Sequence, residues 1–207
     1  MPSPVIHLDL LVRWCALTHR SLTSELVLGA ISPDAIHIRA NQTWSDKAKT
    51  HFYEETEVSY VYALSVARQQ LKEVSADFLM GYLIHLYTDY VWRDQVYAPY
   101  FHAHKDHIPR QTLYDYYYHD TAQLDQLVLS QASWLADMRS CLTSIHSTDI
   151  VMPLLTPQEL MGWKDKVLIR DLASLGEREE LGVLSLANIN GVCEEILRQL
   201  VHLFEKT

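Results

Sequence analysis

The chain contains few of the residues that interrupt a helix. Six glycines and seven prolines in 207 residues are about half of what average usage of roughly 7% and 5% would give. Apolar residues recur at intervals of three and four, which is the helical period, as in the series His7, Leu10, Trp14 and Leu17. No stretch alternates convincingly with a period of two. These features predict an all-α fold.

The helical pattern extends along the whole chain and predicts a compact bundle of six to eight helices, forming a single domain over residues 1–207. Besides the first helix, the predicted segments are 64–78, 113–146 with a potential break at 130–133, 157–176 and 189–203. Thr156 and Glu159 form a capping box around Pro157, which favours a helix start there. The segments predicted to be irregular are 29–50, 98–110 and 147–156.

Composition and charge exclude several classes of function. Hydrophobic residues make up 48% of the chain and charged residues 21%, which is typical of a globular protein. The net charge of −9 disfavours binding to duplex nucleic acid. No apolar run approaches the roughly 20 residues of a transmembrane helix, and the N-terminal MPSP lacks the features of a secretory signal. We therefore expect a cytoplasmic protein; no pattern indicates an oligomeric state.

The histidine and cysteine content indicates which side chains could form a functional site. The three cysteines, Cys15, Cys141 and Cys193, are widely spaced and form no C-x-x-C motif, so we expect buried thiols rather than disulfides or a thiolate zinc site. The eleven histidines are unusual in number. Histidine serves both metal binding and proton transfer near neutral pH.

The most informative window is the predicted helix that contains His85 and Asp89. These residues are four apart and therefore lie one above the other on the same helix face, with Gly81 one turn earlier. A pair with this spacing can present a nitrogen and an oxygen to one divalent metal. It can equally form a buried hydrogen-bonded pair between helices. Gly81 leaves room for another backbone or for a substrate.

Three further residues are candidates for the same site. Asp34 lies in a predicted loop after a short helix, His51 lies just before the next predicted helix, and His7 shares the inward face of the first helix. Each also has a plain structural interpretation. Asp34 fits a helix N-cap, His51 a surface residue, and His7 a core histidine with its hydrogen bonds satisfied.

Taken in order, these motifs resemble the zinc-dependent phospholipase C family, which shares its fold with the fungal zinc-dependent single-strand nucleases. The resemblance covers roughly residues 1–125. The matching elements are IHL at 6–8, GAISPD at 29–34, THF at 50–52 and GYLIHLYTD at 81–89. The resemblance implies the helical fold of that family and a metal-dependent hydrolase of phosphoester or phosphodiester bonds.

The resemblance also implies a ligand set and a substrate class. Asp34, His51, His85 and Asp89 would surround one metal, and Asp89 would bridge to a second metal bound by His7. One or two zinc ions are expected, and another divalent metal such as manganese, iron or nickel suits the same donors. Asp34 would also orient or deprotonate the attacking water. The expected substrate is a small phosphoester or a phospholipid.

The chain departs from the family pattern in two places. The family uses a processed N-terminal residue and a later histidine followed by a His-x-x-x-Glu element as further ligands. Here the N-terminus shows no processing site, and the later element is HDTAQ at 119–123, so His119 is a candidate ligand but Gln123 replaces the carboxylate. A third metal is therefore not expected.

Two alternatives to the hydrolase remain open at this point. The first is a helical binding domain that kept the fold and lost part of the metal site. The second is a metal phosphohydrolase of the His-Asp-dyad type, in which His119 and Asp120 act together with His51 and His85. In that case Asp120 must point into the same site as the upstream histidines.

Overall fold

The computed structural model describes residues 1–53, 59–146, 150, 152–173, 176 and 179–204. Within these ranges the chain is helical and contains no strand, which confirms the all-α prediction. The α-helices are α1 (Pro4–Thr18), α2 (Ser24–Ile31), α3 (Trp44–Thr50), α4 (Tyr60–Gln70), α5 (Ala76–Trp92), α6 (Ala98–His104), α7 (Arg110–Gln131), α8 (Leu135–Ser144), α9 (Pro157–Lys166) and α10 (Leu186–Phe204).

Three shorter helical turns extend these helices. A 3₁₀ turn (Ser32–Ile38) continues α2, a π turn (Arg93–Tyr97) joins α5 to α6, and a second π turn (Val167–Asp171) continues α9. Counted as uninterrupted runs, the described residues form nine helical segments, which is more than the six to eight predicted. Short helices occupy stretches that were predicted to be irregular: α3 in 29–50 forms a separate segment, and α6 in 98–110 extends the run that begins with α5.

The boundaries of the predicted helices were partly wrong. The periodic segment 64–78 is two helices, because α4 ends at Gln70 and the Ser75 side chain accepts a hydrogen bond from the Phe78 amide to begin α5. The break near 130–133 is confirmed between α7 and α8. The capping box at Thr156 begins α9 as predicted, but the helical run ends at 171 rather than near 176. Residues 147–149 and 151 of the predicted irregular segment lie outside the described residues.

A single hydrophobic core connects the helices. Its buried side chains run from Val5 in α1 to Phe204 in α10; the single domain over residues 1–207 stays a prediction from the sequence. Cys15 and Cys193 are buried, Cys141 is half-buried, and all three are free thiols. Among the described helices, none combines the length and the apolar character that a membrane span requires.

The closest contact between two helices joins α2 and α5, and it depends on a glycine from each helix. A Cβ atom placed on Gly29 would lie 2.1 Å from the Phe78 carbonyl oxygen, and one placed on Gly81 would lie 2.1 Å from the Leu26 carbonyl oxygen. Only glycine permits this approach. The two backbones therefore pack directly against each other, immediately before the 3₁₀ turn that carries Asp34 and beside the turn of α5 that carries His85.

Candidate metal centre

Five of the six predicted ligands come together in the interior. They are contributed by α1, by the 3₁₀ turn after α2, by the C-terminal end of α3 and by α5. Their exposed fractions are at most 7%: His7 2%, Asp34 7%, His51 0%, His85 0% and Asp89 1%. Such burial of ionisable groups requires partners or a metal.

Asp89 lies at the middle of this cluster. Its Oδ1 is 3.3 Å from His7 Nε2, and its Oδ2 is 3.3 Å from His51 Nε2 and 4.0 Å from His85 Nε2. His51 Nε2 is also 3.5 Å from Asp34 Oδ1. The two oxygens of Asp89 thus face two different groups of donors, which is the arrangement of a bridging carboxylate.

Two groups of three donors have the spacing of metal ligands. They are His7, His85 and Asp89, and Asp34, His51 and His85; within each group the ligand atoms lie within 4.8 Å of one another. The His7 and His85 rings stack face to face with centroids 3.8 Å apart. This geometry suits one or two ions, as the sequence predicted.

Main-chain carbonyls set the tautomers of two histidines. His85 Nδ1 is 2.8 Å from the Ala30 carbonyl oxygen, and His51 Nδ1 is 3.0 Å from the Lys47 carbonyl oxygen. A carbonyl only accepts hydrogen bonds, so each Nδ1 carries the proton and donates it. In the neutral ring each Nε2 then directs its lone pair towards the cluster, which is the form of histidine that binds a metal.

Several buried polar atoms of the cluster lack a hydrogen bond among the described residues. They are both ring nitrogens of His7, Nε2 of His51, Nε2 of His85 and Oδ1 of Asp89. An unsatisfied buried polar atom costs about 1–3 kcal/mol. A divalent cation would satisfy the four that face the cluster, and nitrogen and oxygen donors without thiolates suit zinc. The residues present therefore fit the ion.

The protonation states of His85 and Asp89 also suit ligation. Burial, reinforced by the neighbouring His7, lowers the pKa of His85 to about 3, so its imidazole is neutral. Burial alone would raise the pKa of Asp89, but the His51 and His7 imidazoles, whose nitrogens lie 3.3 Å from its oxygens, outweigh burial and hold that pKa well below its usual range. Asp89 is therefore a carboxylate.

His51 and Asp34 are electrostatically linked. Burial and Lys47 act to lower the pKa of His51, but the adjacent Asp34 and Asp89 carboxylates, 3.5 and 3.3 Å from its Nε2, outweigh them and raise it. Burial would raise the pKa of Asp34, yet Lys47, His37 and His51 hold it well below the usual value. A metal at this position would have to take the place of a proton on His51.

The local chain turns sharply at this ligand. His51 caps the C-terminal end of α3 rather than preceding a helix as predicted. The following residue, Phe52, has a left-handed φ of 54°, which is uncommon for a bulky residue. Its side chain is buried, and this turn holds His51 against Asp34 and Asp89.

The cluster lies beside a cavity of about 1130 Å³. Its wall includes side chains that the sequence analysis did not single out, among them Lys47, Arg93, Arg110, Tyr97, Tyr114 and Tyr118. Helical spacing alone would have found two of them, since Arg93 lies four residues after Asp89 and Lys47 four residues before His51. Lys47 Nζ lies 3.1 Å from Asp34 Oδ1.

The Met1 amino group also lies at this cavity. It is 3.4 Å from the Tyr117 hydroxyl oxygen, and burial lowers its pKa to about 6. The N-terminal sequence indicates no ligating amine, yet Met1 lies in the cavity wall beside the cluster.

The structure does not bring His119 to the other five residues. Its side chain is 46% exposed, and its ring nitrogens lie 3.1 Å from a Glu179 oxygen and 3.4 Å from an Asp120 oxygen. The physical reason is the rotation of α7, because Tyr118 faces the cavity and the next residue is turned by about 100°. Gln123 points elsewhere too, since its Oε1 accepts a hydrogen bond from the Glu179 amide.

Asp120 is occupied by the backbone. Its carboxylate accepts hydrogen bonds from the amides of Gly182, Val183 and Leu184 at 2.9, 2.7 and 2.7 Å. Three amide donors satisfy most of what a carboxylate can accept. This residue fixes a chain segment before α10 and does not point into the histidine cluster.

Comparison with known families agrees with this geometry. A family model described as zinc-dependent phospholipase C matches residues 8–157, which is more than half of the chain and includes four of the five clustered donors. The chain belongs to the zinc-dependent phospholipase C family. The resemblance, the helical fold and zinc as the cofactor are thereby confirmed. Neither the curated proteins nor the solved structures that were compared gave a match to this phospholipase C family member. Family and donors together support a metal-dependent hydrolase.

Proposed function

We propose that this zinc-dependent phospholipase C family member hydrolyses phosphoester bonds, with phosphodiesters of the phospholipid headgroup type as its substrates. One observation carries the proposal: five buried donors converge, four of them with unpaired ligand atoms, beside a cavity that Asp34 lines and that is large enough for a headgroup. His7, Asp34, His51, His85 and Asp89 would hold the zinc. Bound zinc supplies Lewis acidity, which activates water at neutral pH and offsets charge on a phosphoryl oxygen.

The role of Asp34 follows from its protonation state. Because its pKa is held well below the usual range, its carboxylate is a weak base and retains a proton poorly. It is better suited to accept a hydrogen bond from the attacking water and to orient it. Of the two roles that the sequence left open, we therefore propose orientation.

Lys47 provides a fixed positive charge beside this carboxylate. Its ammonium group lies 3.1 Å from Asp34 Oδ1 and 3.4 Å from His37 Nε2, and it lines the cavity. An ammonium group in this place can donate a hydrogen bond to a non-bridging phosphoryl oxygen while Asp34 orients the attacking water. Such preorganised charge stabilises the transition state without reorganisation.

The proposal is tested by zinc analysis and a hydrolysis assay on the full chain. Freshly purified protein should contain one or two zinc ions and cleave a chromogenic phosphodiester, and a chelator should abolish cleavage reversibly. His85→Ala should lose at least about 100-fold in zinc affinity, since even outer-shell changes cost 10–100-fold. His119→Ala is the matched control, because its ring lies outside both donor groups, and it should keep both zinc and activity.

Each alternative gives a different result in these assays. Zinc retention without cleavage of any phosphoester would favour a binding domain over a hydrolase. A loss of zinc in His119→Ala equal to that in His85→Ala would favour the His-Asp-dyad alternative, against which the backbone hydrogen bonds of Asp120 argue. A cytoplasmic location and the lack of duplex nucleic acid binding stay predictions from the sequence.

A further inference from the structure

The charges that line the cavity differ from those of the chain as a whole. The chain has a net charge of −9, yet the cavity wall carries more basic side chains than acidic ones. The basic ones are Lys47, Arg93, Arg110 and Arg170, and the acidic ones are Asp34, Asp125 and Asp171. A cavity with this lining attracts anions.

Two of the three carboxylates are paired with a basic side chain of the wall, and the third is partly protonated at neutral pH. Asp34 is paired with Lys47. Asp171 accepts two hydrogen bonds from Arg170, at 2.6 and 2.9 Å. Burial raises the pKa of Asp125 to about 7, so this carboxyl group is about half protonated at pH 7 and increasingly protonated below it. Arg93 and Arg110 are therefore the two basic side chains of the wall that no carboxylate of the wall pairs with.

Arg110 is the cation whose donors are most available. Its guanidinium is exposed and donates to the Tyr114 hydroxyl oxygen from Nε at 3.1 Å and from Nη2 at 2.8 Å. Among the described residues no carboxylate lies within ion-pair distance of it. Arg93 by contrast stacks on Tyr53 and Tyr90 and has Asp94 at 3.7 Å.

Helix α7 carries Arg110 about two turns before Tyr118, and both residues line the same cavity as Asp34 and Lys47. Arg110, Tyr114 and Tyr118 follow one another at one-turn intervals along one face, and the two tyrosine rings stack with centroids 6.3 Å apart. Tyr118 lies close enough to Lys47 for that charge to oppose the rise that burial causes in its pKa. At 1.5 Å per residue, Arg110 lies on the order of 12 Å further along the helix.

Two aromatic rings of the wall already have a guanidinium group stacked on them. Rings of this kind can bind a quaternary ammonium through cation–π contacts. Here the Tyr114 ring already has the Arg110 guanidinium at 5.4 Å, and the Tyr53 ring has the Arg93 guanidinium at 5.6 Å. A further cation would meet these fixed charges and be repelled.

We propose that the cavity selects phosphoesters whose alcohol part carries a second anionic group, which Arg110 binds while the ester phosphate lies at the metal centre. The inference rests on the proposed function for the position of the ester phosphate. It specifies the substrate class by charge: an acidic headgroup is accepted and a choline-like headgroup is disfavoured. The guanidinium fork is suited to carboxylate and phosphate oxygens.

The test compares two soluble phosphate monoesters that differ in the second charged group. Binding of 3-phosphoglycerate and of phosphorylcholine to the zinc-loaded protein, without free zinc, is measured by isothermal titration calorimetry. We expect 3-phosphoglycerate to bind about tenfold more tightly, a difference typical of one added charge-assisted contact. Arg110→Gln should remove most of this preference and leave phosphorylcholine binding and zinc content unchanged.

A matched control separates local binding from the overall charge. Arg198→Gln changes the net charge equally, but Arg198 lies on α10, is 71% exposed and contacts Glu195, so the preference should persist. The inference is overturned if phosphorylcholine binds as tightly as 3-phosphoglycerate, if neither binds, or if Arg110→Gln and Arg198→Gln behave alike. Because binding is read without turnover, a protein that shows the Arg110-dependent preference but cleaves no phosphoester contradicts only the proposed function.

Discussion

Replacing Gly81 by alanine would insert a methyl group into the backbone of a neighbouring helix. The added Cβ would lie 2.1 Å from the Leu26 carbonyl oxygen and 2.7 Å from the Ala30 amide nitrogen, whereas ordinary contacts begin at 3.4 Å. Neither atom is a flexible side-chain end. Helices α2 and α5 would therefore have to separate by about 1 Å or more.

The magnitude follows from two opposing effects. Overpacking in a well-packed core costs about 1–3 kcal/mol and more where backbone must move, while alanine in a helix gains up to about 1 kcal/mol over glycine. We expect a net loss of about 2 kcal/mol in the free energy of unfolding. The 2.8 Å hydrogen bond from His85 to the Ala30 carbonyl would also stretch, and its loss should weaken zinc binding by about 10–100-fold.

The assay is denaturant unfolding of the zinc-free variants, followed by zinc titration. Gly191→Ala provides the matched control, because nothing lies within 4 Å of a Cβ at that position of α10. The same substitution should there stabilise the protein by about 0.5–1 kcal/mol and leave zinc binding unchanged. If the free energy of unfolding of Gly81→Ala equalled that of the parent, or rose as in Gly191→Ala, the backbone contact between α2 and α5 would not require a glycine at position 81.

Two further predictions concern buried carboxyl groups. Burial raises the pKa of Asp125 from 3.8 to about 7, so the folded protein holds a proton that the unfolded chain has lost, and stability should fall between about pH 4 and pH 7 by up to a few kcal/mol. Asp125→Asn should remove this part of the fall in unfolding midpoints measured at pH 4.5 and 7.5; an unchanged slope would contradict the assignment. Asp120→Ala leaves three backbone amides without their acceptor and should cost about 3 kcal/mol in chemical denaturation. Its zinc content should equal that of the parent, and a parallel loss of zinc would show that Asp120 belongs to the metal centre.

The parts of the fold and site that were predictable depend on short-range patterns. The shortage of glycine and proline excludes a turn-rich sheet, and the four-residue spacing of His85 and Asp89 is a property of any helix. The interpretation of Gly81 as a point of close backbone approach also holds, since α2 occupies that space. Short motifs sufficed for His7, Asp34 and His51 because each lies next to the element that positions it.

The parts that sequence reasoning missed depend on long-range packing or on local capping. The periodic apolar pattern across 64–78 continues through a helix boundary because Ser75 caps a new helix without disturbing the spacing. His119 faces away from the clustered donors because of the rotation of α7 about its axis. That rotation depends on the helices that pack against α7, which the local sequence does not indicate. Arg110 is far from the motifs along the chain, so its place in the same cavity depends on how α7 packs.

The π turn at Arg93–Tyr97 has a consequence for how the cavity wall is built. In an α-helix each step of four residues drifts by about 40° around the axis, so a straight continuation from Asp89 would carry successive residues away from the opening. The wider π turn counters that drift and keeps Tyr97 on the cavity side together with Arg93. Deleting one residue from this turn would restore regular α-helical hydrogen bonding and rotate the residues that follow it around the helix axis. A one-residue deletion would therefore change which side chains line the cavity without altering any donor of the metal centre.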